Sequence, residues 1–579
     1  MSNKNVLQSR KARRKRKESR RISRWKGRLL LGILGLGLLV RLLHFWAISG
    51  SALPKFHTVG GGDILTFWNW AQQILAGDLL SAYHRYSAYM QQIAPLKTWE
   101  QWWGNKEIFR TAPLFPYWVA GLLAVSGGSL PFVLFVQLLV GALHPLVLFG
   151  LARRLFDERV GLVAAALTAL YGPFIFYQGV LLRDWHPPFL EPLALLALLK
   201  ARDRHLGRDW FLAGAVLGLA LLTKETLLLF LPLVGVWLWW ETRPDWGRAV
   251  RAGTFLLTGF LLCLSPLLIR NALVGAPLFA LSNRAAQSFI SGNAVDSSPV
   301  GAGPNLATIK EILEHSEGKL WPTIRETLKT YQGDYGMFLQ KQLLKLRGLA
   351  DPYEVPNNES FYYGLEISPG LRFTLRYGFV FPLGITGFLL SLPAWRRQRL
   401  IYLYLPAVVG GLLFSVILAR YRLILVPVWM LYGAALLTWM ADAVLKRGSG
   451  RVLGSLGLVL GITVVQQLWL PLAEPEEYVR PQEYFLAAEV YESEGRYDRA
   501  AAELARFRAK IRQYPHFVPA ARKASLAEGN YRVLWAQQLF KAGKREEARR
   551  QVELAEAAYA AHRKLSYPWY NLGQLYLAL

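Results

Sequence analysis

Long apolar runs separated by short basic turns set the strongest limit on what this chain can become. About eleven such runs are read from the sequence, at about 29–49, 131–151, 160–180, 187–201, 210–223, 225–240, 252–269, 373–394, 400–418, 423–441 and 452–471. A bilayer core is crossed by roughly 20 apolar residues in helical form, and no water-soluble core hides so many runs. The pattern therefore predicts an all-α polytopic membrane protein. Residues 114–127 are too short for a confident crossing and are expected to form a half-inserted or interfacial helix. The mean hydropathy of +0.22 and a charged fraction of only 18% agree with this reading.

The net charge of +28 invites nucleic-acid binding, but its distribution argues against that. About twelve of those charges lie between Lys4 and Arg28, directly before the first run. That placement fits an anchor held on the cytoplasmic side, with anionic lipid rather than nucleic acid as its surroundings. The segment is not expected to be a cleaved signal, because its basic part is too long and no small-x-small site follows. Further clusters recur after every second run: Arg153-Arg154, Lys200-Arg202-Arg204, Arg243-Arg248-Arg251, Arg396-Arg397-Arg399 and Lys446-Arg447-Arg451. They place these turns and the N-terminus in the cytoplasm, and the loops 50–112 and 270–371 and the region 472–579 outside. The weakest step is 210–240, where Thr223-Lys224-Glu225 separates two short apolar halves that also fit one bent span. Cys263 is the single cysteine, so neither an intrachain disulfide nor a cysteine metal cluster is available.

The expected organisation is a basic tail at 1–28, a membrane domain at 29–471 and a helical domain at 472–579. In the last, Trp569-Tyr570-Asn571-Leu572-Gly573-Gln574-Leu575-Tyr576 fits the opening of a tetratricopeptide unit. Earlier helix pairs are expected to turn at Glu494-Gly495-Arg496 and Ala542-Gly543-Lys544, each with an alanine five residues after its glycine, Ala500 and Ala548. The spacing is irregular, so the array is degenerate, and a generic helical hairpin domain accounts for it as well.

Charged groups at the ends of membrane spans are costly and point to function. On the outer face they form one set: Asp63, Arg110, Arg183, Asp184, His186, Glu191, Lys224, Glu225, Arg270, Asn271, Arg420 and Arg422. Taken singly, each arginine also fits a snorkelling role, and Asp63 also fits a helix cap. His186 fits an interfacial histidine, and Trp99, Trp102 and Trp103 fit a membrane-interface belt or a sugar platform. Together the set suits an anionic lipid substrate. Guanidinium forks grip phosphate oxygens, and a carboxylate serves as base toward a hydroxyl.

The order of short motifs resembles the protein O-mannosyltransferase and aminoarabinose transferase group, a glycosyltransferase family 39-like set of GT-C fold enzymes, here of a subset with C-terminal tetratricopeptide repeats. Asp63 with Ala71-Gln72-Gln73-Ile74-Leu75-Ala76-Gly77-Asp78 resembles the acidic first loop and its following helix. Ala112-Pro113-Leu114-Phe115-Pro116-Tyr117, Gln137-Leu138-Leu139-Val140-Gly141, Ala152-Arg153-Arg154-Leu155-Phe156 and Gly218-Leu219-Ala220-Leu221-Leu222-Thr223-Lys224-Glu225 resemble later elements. So do Ser265-Pro266 with Arg270-Asn271, Gly275, Ser282 and Gly292-Asn293. Tyr353-Glu354-Val355-Pro356-Asn357-Asn358 and Arg420-Tyr421-Arg422 with Pro427 complete the series.

The resemblance implies a GT-C-like bundle of about eleven transmembrane helices in an inner (plasma) membrane. It implies inverting transfer of a sugar from a polyprenyl-phosphate donor to an acceptor hydroxyl on the outer face, the acceptor being a protein, a glycan or a lipid. By carry-over, Asp63 is the base. Lys224, Arg270, Arg420 and Arg422 are donor-phosphate candidates, Glu354 and Asn358 are sugar or acceptor candidates, and Arg110, Arg183, Asp184, Glu225, Asn271 and Asn293 complete the substrate-binding set. Many relatives have an acidic pair where this chain has Asp63-Ile64. No cofactor is certain from the sequence, and a divalent cation between Asp63 and Asp184 is a minor alternative. The repeats offer a surface to a protein partner. A lipid transporter would instead place charges at mid-membrane in paired halves, and a scaffold would leave the outer-face set without a role.

Overall fold

A computed structural model describes residues 3–60, 62–81, 107–301, 303–445, 449–472, 480–512, 514 and 517–578. Trp99, Trp102, Trp103, Lys446 and Arg447 lie outside the described residues, as do Gly61 and the rest of 82–106. The described chain is helical, with only isolated bridges such as Tyr171 to Leu375.

Six helical stretches are long and apolar enough to cross a membrane: Trp25–Ser49, Leu130–Leu155, Trp246–Val274, Tyr377–Leu413, Ala419–Leu445 and Gly450–Trp469. The number differs from the expected eleven for local reasons. Tyr377–Leu413 joins two expected spans, as helices Tyr377–Ser391 and Arg399–Leu413 linked by the 3-10 stretch Leu392–Gln398. The run 160–180 breaks into Glu158–Ala169 and Gly172–Gln178, because Pro173 has no N–H to continue the ladder and suits a helix start. The run 187–201 forms helix Pro187–Arg204, which opens on two prolines, carries Pro192 inside and is basic in its last turn. The stretch 210–240 is two helices, Gly207–Leu221 and Leu231–Thr242, with Lys224 extended between them and the 3-10 segment Glu225–Leu229 following it. Helix Leu114–Ser126 is apolar but only 13 residues long, as its sequence implies.

Small residues let these helices meet backbone to backbone, which is how apolar helices associate in lipid. A Cβ on Gly214 would lie 1.9 Å from the Leu256 carbonyl, and one on Gly259 would lie 2.0 Å from that of Phe211. Helices Gly207–Leu221 and Trp246–Val274 are thereby locked side by side.

The two ends of the bundle differ in character. At one end the basic turns knit together through Lys26 to Glu158 at 2.8 Å, Arg154 to Asp203 at 3.5 Å and Arg159 to Asp442 at 2.8 Å. At the other end lie Asp63, the loop 353–360 and the C-terminal helices. Helices Pro481–Ser493, Tyr497–Ile511, Val518–Lys541, Arg545–Tyr559 and Ser566–Ala578 pack on one another in order, with turns at Gly495 and Gly543 and with Ala500 and Ala548 fully buried. Their lengths of 13, 15, 24, 15 and 13 residues do not make a constant unit. The apolar core runs unbroken from the membrane helices into Tyr484, Phe507 and Tyr531. Lys55 pairs with Glu494, Arg499 donates to the Gly50 carbonyl at 3.2 Å, and Tyr484 donates to Glu366 at 2.8 Å. The C-terminal helices thus sit on the same end of the molecule as Asp63.

Candidate active site

Gly62 starts the helix Gly62–Leu75 with φ +83, a left-handed conformation that costs other residues roughly 1–2 kcal/mol. A Cβ there would lie 2.9 Å from the Asn358 side-chain oxygen. Its absence lets the loop 353–360 close over the next residue, Asp63. Asn358 donates to the Asp63 carboxylate at 2.7 Å. Asp63 stands in the first turn, and its carboxylate accepts from the Asn358 and Arg420 side chains, so it is more than a cap.

Arg420 is the hub. One end of its fork donates to Asp184 at 2.9 Å. The other donates to Asp63 at 2.9 Å, to Asn357 at 2.6 Å and to the Tyr421 hydroxyl at 3.2 Å. Its side chain is 4% exposed, so both carboxylates are held in low dielectric, where charge-assisted bonds are strong. The guanidinium occupies the position between Asp63 and Asp184 that a divalent cation would take. Burial alone would raise the Asp63 carboxyl, but the fields of Arg420, Arg284 and Arg110 outweigh it and hold Asp63 well below the usual carboxylate range.

Asp63, Arg284, Ser288, Ser291, Asn357, Asn358, Arg420 and Tyr421 line one polar cavity of about 260 Å³. Lys224 lies against it, its ammonium 4.6 Å from the Tyr421 ring centre. Burial opposes the charge on Arg284, but the fields of Tyr421 and Asp63 prevail and hold its guanidinium firmly protonated.

A strap at 107–113 touches neighbours of the residues that line this cavity and itself lines a second, apolar one through Phe109 and Pro113. Arg110 donates to Thr66 at 3.3 Å, one helical turn beyond Asp63, and the Phe109 carbonyl accepts from the Asn283 amide at 2.9 Å, next to Arg284. Glu225 latches the strap by accepting from the Ala112 amide at 2.8 Å and from Ser282 at 2.6 Å, with Arg183 at 3.5 Å. The far side of the strap faces an apolar groove of about 420 Å³ lined by Leu80, Phe109, Tyr117, Cys263, Leu267 and Leu273 among others. Arg270 lies on that groove. Its guanidinium donates to the carbonyls of Leu80, at 2.7 Å, and Glu107, and lies 4.1 Å from the Phe109 ring centre.

The structure therefore divides the set drawn from the sequence. Asp63, Asp184, Asn358 and Arg420 meet directly, with Arg110 and Lys224 beside them. Arg270 lies at the groove instead, its guanidinium turned to the Leu80 carbonyl. Four residues belong to scaffolding instead. Arg422 pairs with Glu354 at 3.2 Å, donates to the Asp351 carbonyl at 2.6 Å and stacks 3.9 Å from the Tyr377 ring centre, with both side chains buried. Asn271 ties the helix end to the carbonyls of Leu278, at 3.0 Å, and Ala280, at 2.8 Å. Asn293 bridges the Phe414 carbonyl, at 3.0 Å, and the buried Lys345, at 2.8 Å. Arg284, Asn357 and Tyr421 join the site without having been singled out by sequence. The latter two lie inside motifs already quoted, and Arg284 stands two residues after Ser282.

Residues 110–269, less than a third of the chain, match the family model of dolichyl-phosphate-mannose-protein mannosyltransferases. The match covers that segment alone. The segment supplies Arg110, Arg183, Asp184, Lys224 and Glu225. No curated protein matches the chain. Among solved structures, the chain is similar to the oligosaccharyltransferase AglB of Archaeoglobus fulgidus in complex with an inhibitory peptide and a dolichol-phosphate, at 14% identity over 80% of this chain and 56% of that one, with a TM-score of 0.43. It thus spans a little over half the length of that relative. ArnT of Cupriavidus metallidurans bound to undecaprenyl phosphate is 15% identical over 71% of this chain and 79% of that one, with a TM-score of 0.34.

Proposed function

We propose that the chain transfers a sugar from a polyprenyl-phosphate-linked donor to an acceptor hydroxyl, with inversion, at the extracytoplasmic face. The observation that carries this reading is the Asp63–Arg420–Asp184 triad on the wall of a polar cavity whose neighbouring strap borders an apolar groove. The acceptor hydroxyl gives its proton to the Asp63 carboxylate as its oxygen attacks the anomeric carbon. The bond from that carbon to the phosphate oxygen breaks on the opposite side, and polyprenyl phosphate leaves as an anion. Asp63 is a weak base, held ionised by its arginines. It suits a reaction in which the hydroxyl becomes acidic only as the new bond forms. Arg284, on the cavity wall, meets the developing phosphate charge, while Arg420 keeps Asp63 and Asp184 in place. The groove takes the first isoprene units, with Arg270 at its edge.

In the same reading the shorter apolar helices complete an eleven-crossing topology, with the N-terminus cytoplasmic. The C-terminal helices form a degenerate tetratricopeptide-like array outside, open to a protein partner. Support comes from the basic turns gathered at the end away from Asp63, and from the contacts of the C-terminal helices with the Asp63 end.

Two experiments test the reading. Asp63→Asn should insert normally and lose transfer by at least about a hundredfold; undiminished transfer would reject Asp63 as base. Cys263, the only cysteine, lines the groove. Polyprenyl phosphate should therefore slow its labelling by a membrane-permeant maleimide. Equal labelling with and without the lipid would remove the groove from the donor path.

A further inference from the structure

The residues that follow Asn358 turn away from the cavity and into a buried contact with the C-terminal helices. Glu359 is 2% exposed and Ser360 2%. Helix Pro481–Ser493 meets them with Glu483, which is 0% exposed. Glu483 is the charge that acts most strongly on Glu359. Among the described residues, one oxygen of Glu359 and both oxygens of Glu483 lack a well-formed hydrogen bond, although the Ser360 amide points toward Glu483. Among the described residues the nearest cation to Glu483 is Arg480, at 3.5 Å. The other charged or titratable groups in reach are Arg420 and Tyr177, toward Glu359, and Lys510, toward Glu483. Lys510 is already paired with Glu366, and Arg420 with Asp63 and Asp184. Two carboxyls are therefore packed together with too little positive charge to keep both ionised.

Burying two adjacent carboxylates is costly, and the cost falls sharply when one proton lies between them. Burial pushes the Glu483 carboxyl up to about 7. Burial and the neighbouring Glu483 push Glu359 well above the usual range.

We propose that Glu359 and Glu483 form a proton-sharing acid pair that docks the C-terminal helices onto the loop 353–360 and thereby positions Asn358 against Asp63. The docking stands on the burial of both carboxyls and on the seat of the same helix against the segment that follows, where Tyr484 packs 5.1 Å from the Tyr363 ring centre and donates to Glu366 at 2.8 Å; its consequence for sugar transfer rests on the reading of Asp63 as the base. Both groups are positioning residues, since neither lines the cavity. For carboxyls raised in the docked state, docking is fully favoured below the ordinary carboxyl range. It weakens as pH climbs through about 7, because the undocked state then releases protons that the docked state retains.

Hydrogen exchange on the intact protein without donor measures the docking directly. After correction for the intrinsic pH dependence of exchange, amides 354–367 of the wild type should exchange about tenfold faster at about pH 8.5 than at about pH 6, the scale set by one proton linked over one pH unit. In Glu359→Gln/Glu483→Gln the difference should shrink below about twofold, since a neutral amide pair carries no titrating charge. Glu483→Gln alone, a milder change, should protect the segment at both pH values. A wild type with no pH dependence, or a double variant that keeps the wild-type slope, overturns the proposal. Transfer assays separate this outcome from failure of the proposed function: if Asp63→Asn transfers normally, the base assignment fails while the exchange result stands on its own.

Discussion

Replacing Arg420 with glutamine tests the electrostatics of the site most directly. The substitution keeps an amide donor on a shorter side chain and deletes the charge that bonds Asp63 and Asp184 at 2.9 Å each. Two unit charges with centres about 4 Å apart interact by about 4 kcal/mol at an effective dielectric of about 20. At about 1.4 kcal/mol per pH unit that is close to three units. The Asp63 side chain is 18% exposed, so the open side of the cavity screens part of this, and about two units remain. The sign follows from the direction of the perturbation. Asp63 is held low, so its ionised form, and the transfer that depends on it, is lost only as pH falls through that depressed value. With Arg420 gone, burial pushes the other way, and the acid limb of kcat/KM should move up by about two pH units. The remaining rate should be lower by about a hundredfold, since Asp63 and Asp184 also lose their alignment. The assay is transfer from a short polyprenyl-phosphate donor across the acid range, with folding checked by gel filtration in detergent. An acid limb that stays in place in a folded variant would refute the assignment of Arg420 as the charge that keeps Asp63 ionised.

Gly62→Ala should cut transfer by about tenfold at saturating donor with little change in yield, because a left-handed alanine and a Cβ 2.9 Å from Asn358 displace the loop over Asp63. Arg422→Leu leaves Glu354 buried and unpaired, and should cost about 3–5 kcal/mol, read as a lower Tm and poor yield rather than as a shifted pH profile. Arg270→Ala should raise the KM for a long-chain donor by about tenfold, about 1.4 kcal/mol of binding, and leave kcat nearly unchanged, since it frees the carbonyls of Leu80 and Glu107 and loosens the edge of the isoprene groove.

Hydropathy and basic turns made the membrane class legible, because lipid imposes a length and a charge rule on every span. They did not show where helices break. Pro173 interrupts a run whose composition reads as continuous, and at Lys224, where the sequence left two halves or one bent span open, the break is held by partners far away in sequence, such as Glu225 with the Ala112 amide. At the site, charge at the end of a span singled out Asp63, Asp184 and Arg420. The same cue could not separate Arg420 from Arg422, two residues apart on one short helix. Arg420 turns to the cavity and Arg422 to Glu354 and three carbonyls, a choice made by the loop 348–354. Arg284 carried no cue, because it stands in a polar loop where an arginine is unremarkable until the fold brings it to Asp63.

The strap at 107–113 lines the groove through Phe109 and reaches the neighbours of the cavity-lining residues through Arg110 and the Phe109 carbonyl. Redesigning either compartment therefore disturbs the other. Trimming Phe109 to admit a bulkier lipid would slacken the peg that fixes Asn283 beside Arg284, and reshaping the Arg110 side to welcome a new acceptor would deform the seat of the isoprenoid. Selectivity for the carrier and selectivity for the recipient would be inherited together, as two faces of one wall.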